Sequence, residues 1–438
     1  MNRIQTEGST VSHAAAYFHE TQYVIQYSPL AEVKDLMVRT AVFGFLLLLL
    51  VPDAAANADT RFQRIAREIQ RLVADQTVPS IVVAVAKDGR IIWEFAVGWA
   101  DRERQIPATP HTPYSLASVS KPFTATAVLK LVEAGRLALD SPANSYLGQA
   151  RITGTHPERA TLRHVLTHTA GLPAYFRMRF ADDAQTFENT IASRAILTRP
   201  SGRRYLYSNL GYGILDHIIE RVAGVTYAEF MHRELFEPLQ LGQTSVPTAP
   251  PPGAAVRYSA DDSPLPFYDV DHRGASSVYA SAHDLVRFGM FHLGQGASDE
   301  HRRGARVLQA KSIREMQRVH TQIDIGAGYG LGWRIDDDGR GFRQVGHTGG
   351  MPGVTTVLSL FPAERVVNDR LEHGGQLPKA PIVGLESDRD HMRWPSGEFE
   401  SQEAGTQHGM ADPNVPTEFA VVALDVDAPP VQEIRTGR

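Results

Sequence analysis

Three short segments carry residues able to do chemistry together. Ser118-Val119-Ser120-Lys121 sets a hydroxyl and an amine at i and i+3. On a helix these side chains share one face, within mutual reach. A serine hydroxyl is a weak nucleophile, and a desolvated lysine with a lowered pKa is a base able to activate it. Pro122 cannot sit deep in a helix, so a helix must begin close to Ser118. Free N–H groups and the dipole favour an oxyanion there. Tyr207-Ser208-Asn209 adds a phenol able to move a proton and an amide able to hold a substrate. His347-Thr348-Gly349-Gly350 follows a strand-like run, where glycines let a substrate backbone come close. A lone Ser-x-x-Lys arises about once by chance in a chain this long, and its plain alternative is an N-cap serine beside a solvated lysine. Three such segments in this order are more specific.

Elements able to position them can be read nearby. Phe62, Ile65, Ile69 and Leu72 recur at helical spacing within Thr60 to Asp75. Ile81 to Ala86 and Ile91 to Val97 flank Lys87-Asp88-Gly89-Arg90, which predicts a hairpin. A helix is expected from Val119 to Ala134, stopped by Gly135, and another over Leu210 to Val222. The region 140–300 reads as mostly helical, with Thr248 to Gly253 a surface loop. Strand-like runs return at Gly330 to Ile335, Phe342 to Gly346 and Val354 to Leu360. Strands at both ends around a helical middle predict an α+β fold: an antiparallel sheet built from both ends of the chain, with an inserted helical lobe.

Composition removes other classes. Lys plus Arg is 44 against 49 Asp plus Glu, a net charge of −5, so no basic footprint for nucleic acid exists. The 42% hydrophobic and 21% charged content is ordinary for a globular protein with a buried core. No cysteine is present, which excludes disulfides, thiolate metal sites, a cysteine nucleophile and a lipid-modified N-terminal cysteine. His164 and His168 stand at i,i+4 without the His-Glu-x-x-His pattern, so no metal is expected. The glycines at 326, 328, 330 and 332 do not spell a nucleotide cradle, and no cofactor is expected. The Gly-x-Ser-x-Gly elbow of α/β-hydrolases is absent.

Across about residues 62–366 the chain resembles the serine β-lactamase and penicillin-binding-protein-like hydrolases, on the branch of class C β-lactamases, D-alanyl-D-alanine carboxypeptidases and related esterases. Beyond the three motifs, the resemblance includes Tyr114-Ser115-Leu116-Ala117-Ser118, Leu139-Asp140-Ser141-Pro142 and Leu166-Thr167-His168-Thr169-Ala170-Gly171-Leu172-Pro173. Glu237-Pro238-Leu239 and Tyr329-Gly330-Leu331-Gly332-Trp333 extend it. It implies Ser118 as acylated nucleophile, Lys121 as its base and Tyr207 as proton relay to the leaving group and deacylating water. Asn209 would orient substrate, and the Ser118 and Gly350 N–H groups would form the oxyanion hole. The family usually carries Lys-Thr-Gly on the terminal strand, where the lysine helps bind a substrate carboxylate; here the position is His347. A histidine of ordinary pKa, near 6.5, is mostly neutral at pH 7, so a permanent anion anchor is lost there. That favours an ester substrate over a β-lactam or D-Ala-D-Ala peptide, with small amides and peptides as alternatives. A further alternative is a non-catalytic relative that binds a cell-wall peptide.

The two ends fit less well. Ala41 to Val51 is an apolar run of 11 residues, too short to span a bilayer. With Arg39 before it and Ala56-Asn57-Ala58 after it, the segment 37–58 reads as a secretory signal peptide starting at Met37. Residues 1–36 are then a start-site over-extension, and the product is exported, periplasmic or secreted, with no membrane span once processed. The hydrolase domain is expected over 59–366. In the family a strand following Phe361-Pro362-Ala363-Glu364-Arg365 pairs back onto the sheet and a C-terminal helix covers it. Here Asn368 to Glu418 is polar and aperiodic, with Phe419 to Val426 the only later strand candidate. The abrupt change of composition favours a lost reading frame near Val367 over a long insertion, leaving 367–438 as an atypical tail.

Overall fold

The computed structural model describes residues 54–75, 78–179, 186–259, 261–295, 298–337 and 343–374. The run Ala41 to Val51, the segment 1–36 and Phe419 to Val426 lie outside the described residues. Among the described residues no helix is long and apolar enough to cross a membrane.

Strand β1 (Ser80–Lys87), SIVVAVAK, is apolar on both faces, as a central strand must be. Asp88 and Gly89 both take positive φ, 51° and 74°, the two left-handed positions that a two-residue hairpin turn requires. The turn leads into β2 (Arg90–Asp101), and β3 (Ile106–Pro107) closes that edge of the sheet. The other strands come from the far end of the chain: β4 (Thr321–Asp324), β5 (Ala327–Tyr329), β6 (Arg334–Asp337), β7 (Arg343–Met351), β8 (Val354–Phe361) and β9 (Val366–His373). The order is β4-β5-β6-β7-β8-β9-β1-β2-β3, antiparallel throughout, so both chain ends do build one sheet.

Helix α1 (Ala54–Ala74) takes in Ala56-Asn57-Ala58 and covers one face of the sheet. Its Phe62 stacks on Trp93 of β2 at 4.8 Å, and Ile69 is buried with Ile81, Val83, Val85, Val357 and Phe361. The opposite face packs on the helical lobe. Helix α2 (Ser120–Glu133) is apolar nearly all round and correspondingly buried. Phe123 stacks on Phe288 of α4 (Ala282–His292) at 3.6 Å, each ring contributing about 1.5–3 kcal/mol by burial. Helix α3 (Asn209–Ala223) begins at the N-cap Ser208, whose hydroxyl accepts the Gly211 N–H, and ends at Gly224 with φ 77°.

Three sequence expectations change. Gly330 to Ile335 is not one strand, because the chain turns between β5 and β6: Gly330 N–H donates to the Trp333 carbonyl at 2.8 Å, and Gly332 has φ 84°. The His347 to Gly350 segment lies inside β7 rather than after a strand ending at Gly346. The boundary at 366 falls within β9, which pairs with β8 on one side and β1 on the other from Val366 to His373. The return strand is therefore made by VVNDRLEH, a polar sequence whose Asn368, Asp369, Glu372 and His373 are buried.

Candidate active site

Local conformation explains why Ser118 is presented. Tyr114–Ser115 pairs with Tyr279–Ala280, and Leu116 N–H donates to the Val278 carbonyl at 2.8 Å. Ala117 then takes φ +47°, a strained value for a residue with a Cβ. The turn Ala117–Val119 is 3₁₀, so Ser118 stands one short turn ahead of α2. On the other side β7 presses against this turn. A Cβ on Gly349 would meet Thr356 Oγ1 at 2.2 Å and the Leu116 carbonyl at 2.3 Å, so only glycine fits. Thr356 Oγ1 in turn donates to that carbonyl at 2.7 Å. Gly350 beyond it is exposed, with nothing within 4 Å of a built Cβ.

Lys121 is wholly buried, and burial holds its amine well below the ordinary lysine pKa. Nζ lies 3.1 Å from Ser118 Oγ, 2.8 Å from Asn209 Oδ1 and 3.1 Å from the Ala275 carbonyl. Two of these partners can only accept. A neutral amine has two N–H donors for them and one lone pair left for the Ser118 hydroxyl. The arrangement fits a base awaiting a proton. The Tyr207 ring stands 4.7 Å from Nζ, its centroid 4.4 Å from the buried ring of His168 and tilted 36° to it. His168 Nδ1 accepts the Ser208 N–H at 3.1 Å, and burial, then the nearby Lys121, keeps it neutral. His164 is occupied elsewhere, with Nδ1 2.9 Å from the Arg159 carbonyl.

Three features were not legible in the motifs. One is the Ala275 carbonyl just described. Another is a buried cluster behind Asn209. Asn209 Nδ2 donates to the Tyr175 carbonyl at 2.8 Å, and the Tyr175 hydroxyl donates to Asp271 Oδ2 at 2.7 Å. Asp271 also accepts from Thr190 at 3.0 Å and from His272 Nδ1 at 2.8 Å. Burial pushes the Asp271 carboxyl up, but these donors outweigh it and hold it below its ordinary value. Asn209 is thus gripped on both sides and sets the height of Lys121. The third feature concerns His347. Its Nδ1 is 2.7 Å from the Thr348 carbonyl, which only accepts, so Nδ1 carries the proton. Nε2 lies 3.0 Å from the Tyr329 hydroxyl. Both ring nitrogens are thereby engaged within the protein. Tyr329 belonged to a quoted segment, but nothing in its spacing shows this role.

Of the sequence-predicted residues, Ser118, Lys121, Tyr207 and Asn209 converge around one amine, and Thr348, Gly349 and Gly350 run along the wall of the Ser118 turn. Among the described residues no group of three or more His, Asp or Glu could hold a metal ion.

The chain is similar to several known proteins. Penicillin-binding protein 4 of Amycolatopsis lactamdurans is 29% identical over 323 residues, covering 69% of this chain and 83% of that protein. Esterase EstB of Burkholderia gladioli is 34% identical over 230 residues, 48% of this chain and 56% of that protein. The octameric penicillin-binding protein homologue from Pyrococcus abyssi superposes with a TM-score of 0.62 at 27% identity, over 72% of this chain and 74% of that one. The Beta-lactamase family model matches residues 65–368. The chain therefore belongs to the Beta-lactamase family, and with it to the serine hydrolases of the β-lactamase-like fold.

Proposed function

We propose that the protein hydrolyses carboxylic esters through an acyl-Ser118 intermediate. The observation that carries this reading is the Lys121 amine, buried, 3.1 Å from Ser118 Oγ and otherwise bonded only to acceptors. Lys121 takes the Ser118 proton as Oγ attacks the ester carbonyl carbon. The resulting oxyanion lies between the N–H groups of Ser118 and Gly350. The C–O bond to the alcohol then breaks, and the proton on Lys121 passes by way of Tyr207 to the departing alkoxide. A water molecule attacks the acyl-enzyme, gives its proton back along the same route, and releases the acid and free Ser118.

Two contacts favour an ester over a β-lactam or a D-Ala-D-Ala peptide. The family lysine is replaced by His347, whose two ring nitrogens are taken up by Thr348 and Tyr329 rather than left for a carboxylate, and one Asn209 N–H is committed to the Tyr175 carbonyl instead of a substrate amide. The likeness to Esterase EstB supports the same reading, while the likeness to penicillin-binding protein 4 keeps a peptidase or β-lactamase as the competing one. A panel of a short-chain nitrophenyl ester, a chromogenic cephalosporin and a D-amino-acid peptide separates them, with Ser118→Ala as control. Fastest turnover of the ester, abolished in Ser118→Ala, is the expected result; fastest turnover of either other substrate overturns the ester reading. Export through a signal at 37–58 is part of the proposal, and N-terminal sequencing of the exported chain tests it. A mature chain retaining residues 1–58 would contradict it.

A further inference from the structure

The cleft lined by Met351, the residue after Gly350, holds a buried arginine that no carboxylate among the described residues pairs. Arg257 is 4% exposed. Its Nη2 donates to the Tyr268 carbonyl at 2.9 Å and to the Tyr279 hydroxyl at 2.7 Å, both uncharged. The guanidinium lies 3.8 Å from the Tyr268 ring centroid, with Phe267 and Tyr279 at 5.4 and 5.8 Å. Among the described residues it has no carboxylate within ion-pair distance. Asp269 shares the same cleft, but its oxygens are occupied by Arg273 at 2.5 Å and Ser277 at 2.8 Å. Of the residues lining the cleft Arg257 and Asp269 are charged, and with Asp269 taken up by Arg273 the charge of Arg257 is left unmatched. That charge is felt nearby: after burial itself, Arg257 is the next cause of the low pKa of His373, about 3.

A buried charge is costly unless paired, so this cleft favours an anion. Its position relates it to the site. Arg257 faces a cleft also lined by Met351, Ser115, Ser276 and Ser277. Met351 follows Gly350 on β7, about 3.3 Å further along the strand. Ser115 lies three residues before Ser118, and Ser276 follows Ala275, whose carbonyl holds Lys121. We propose that this cleft receives a carboxylate carried by the ester substrate, gripped by the planar fork of Arg257. The cleft lies at the other end of the Thr348–Gly350 run from position 347, and the preferred substrates are esters of a half-acid or of a carboxylated alcohol. The inference rests on the ester-hydrolase reading and deepens it.

Two pairs of esters test it and locate the charge. Nitrophenyl hemiglutarate against nitrophenyl methyl glutarate places the anion on the acyl side. Carboxyphenyl butyrate against carbamoylphenyl butyrate places it on the alcohol side. In one pair the ratio of kcat/KM, anionic over neutral, is expected to be about tenfold or more, as for a charge-assisted hydrogen bond. It should fall to about one in Arg257→Gln and return in part in Arg257→Lys. Ratios near one in both pairs, or a ratio that survives Arg257→Gln, overturn the proposal while leaving ester hydrolysis standing. If no ester is turned over, the ester reading fails separately. Calorimetry of monomethyl glutarate against dimethyl glutarate on the full chain then decides: tighter binding of the anion, lost in Arg257→Gln, supports the cleft, and equal affinities overturn it. Should Arg257→Gln not fold, Met351→Glu sets a competing carboxylate at the cleft with the same expected loss.

Discussion

Asn209→Asp converts the geometry around Lys121 into a measurable pH shift. The substitution is isosteric and turns the acceptor 2.8 Å from Nζ into a carboxylate. At an effective dielectric of about 20, two unit charges at that separation attract by about 6 kcal/mol. Burying the new carboxylate takes back several kcal/mol of this. The net effect falls in the range of 1–3 pH units, about 1.4–4 kcal/mol, in favour of protonated Lys121. Lys121 must be neutral to accept the Ser118 proton, so activity is lost as pH falls through its lowered pKa. The assay is kcat/KM against pH with a neutral nitrophenyl ester. In Asn209→Asp the acid limb should move up by about 1–3 units, with a lowered high-pH plateau because the carboxylate sets an oxygen where Asn209 Nδ2 donates to the Tyr175 carbonyl. Asn209→Leu removes the acceptor without adding charge, so its plateau falls while the limb does not rise. An Asn209→Asp limb that coincides with the wild type would refute the assignment of that limb to Lys121. So would a limb in Asn209→Leu that moves equally far.

Two further outcomes follow from buried polar contacts. Tyr175→Phe removes the 2.7 Å bond to Asp271 and loosens the carbonyl that holds Asn209; kcat should fall about tenfold, and the loss should disappear in an Asn209→Ala background. Additive losses would show that Tyr175 acts by another route. Asp369→Asn should stabilise the fold by about 1–3 kcal/mol, since Asp369 is buried with Oδ2 lacking a hydrogen-bond partner among the described residues, and the amide keeps an oxygen for the Ala84 N–H that Oδ1 accepts at 3.0 Å. Burial raises its pKa, so the folded state holds a proton that the unfolded state releases, and wild-type stability falls as pH rises from the ordinary aspartate pKa to the raised one. The gain in Tm should therefore be larger at pH 8 than at pH 4, and a gain that shrinks with pH would contradict the burial argument.

What the sequence disclosed was chiefly local. Ser118 and Lys121 share a helix face, Pro122 marks the helix start, and Asp88-Gly89 has two-residue turn chemistry. Each is settled within a few residues, and each is found where expected. The β9 strand was missed for a nonlocal reason. VVNDRLEH lacks period-2 alternation and is more polar than apolar, yet β1 and β8 offer two complementary edges that satisfy its backbone. That pairing outweighs the cost of burying Asn368, Asp369 and Glu372. Tyr175, Asp271, the Ala275 carbonyl and Arg257 escaped notice because long-range packing brings their loops to the site, and no spacing encodes it. At His347 residue type shows only that the family lysine is replaced, and the Thr348 and Tyr329 contacts that occupy its ring nitrogens come from packing.

The central claim is that Ser118 is a nucleophile activated by a neutral Lys121. Mass spectrometry of the folded chain after exposure to an activated nitrophenyl ester tests it most directly. One acyl adduct is predicted, mapped to Ser118, absent in Ser118→Ala and formed about a hundredfold or more slower in Lys121→Met. An adduct on another residue, or labelling of Ser118 at an undiminished rate in folded Lys121→Met, would contradict it.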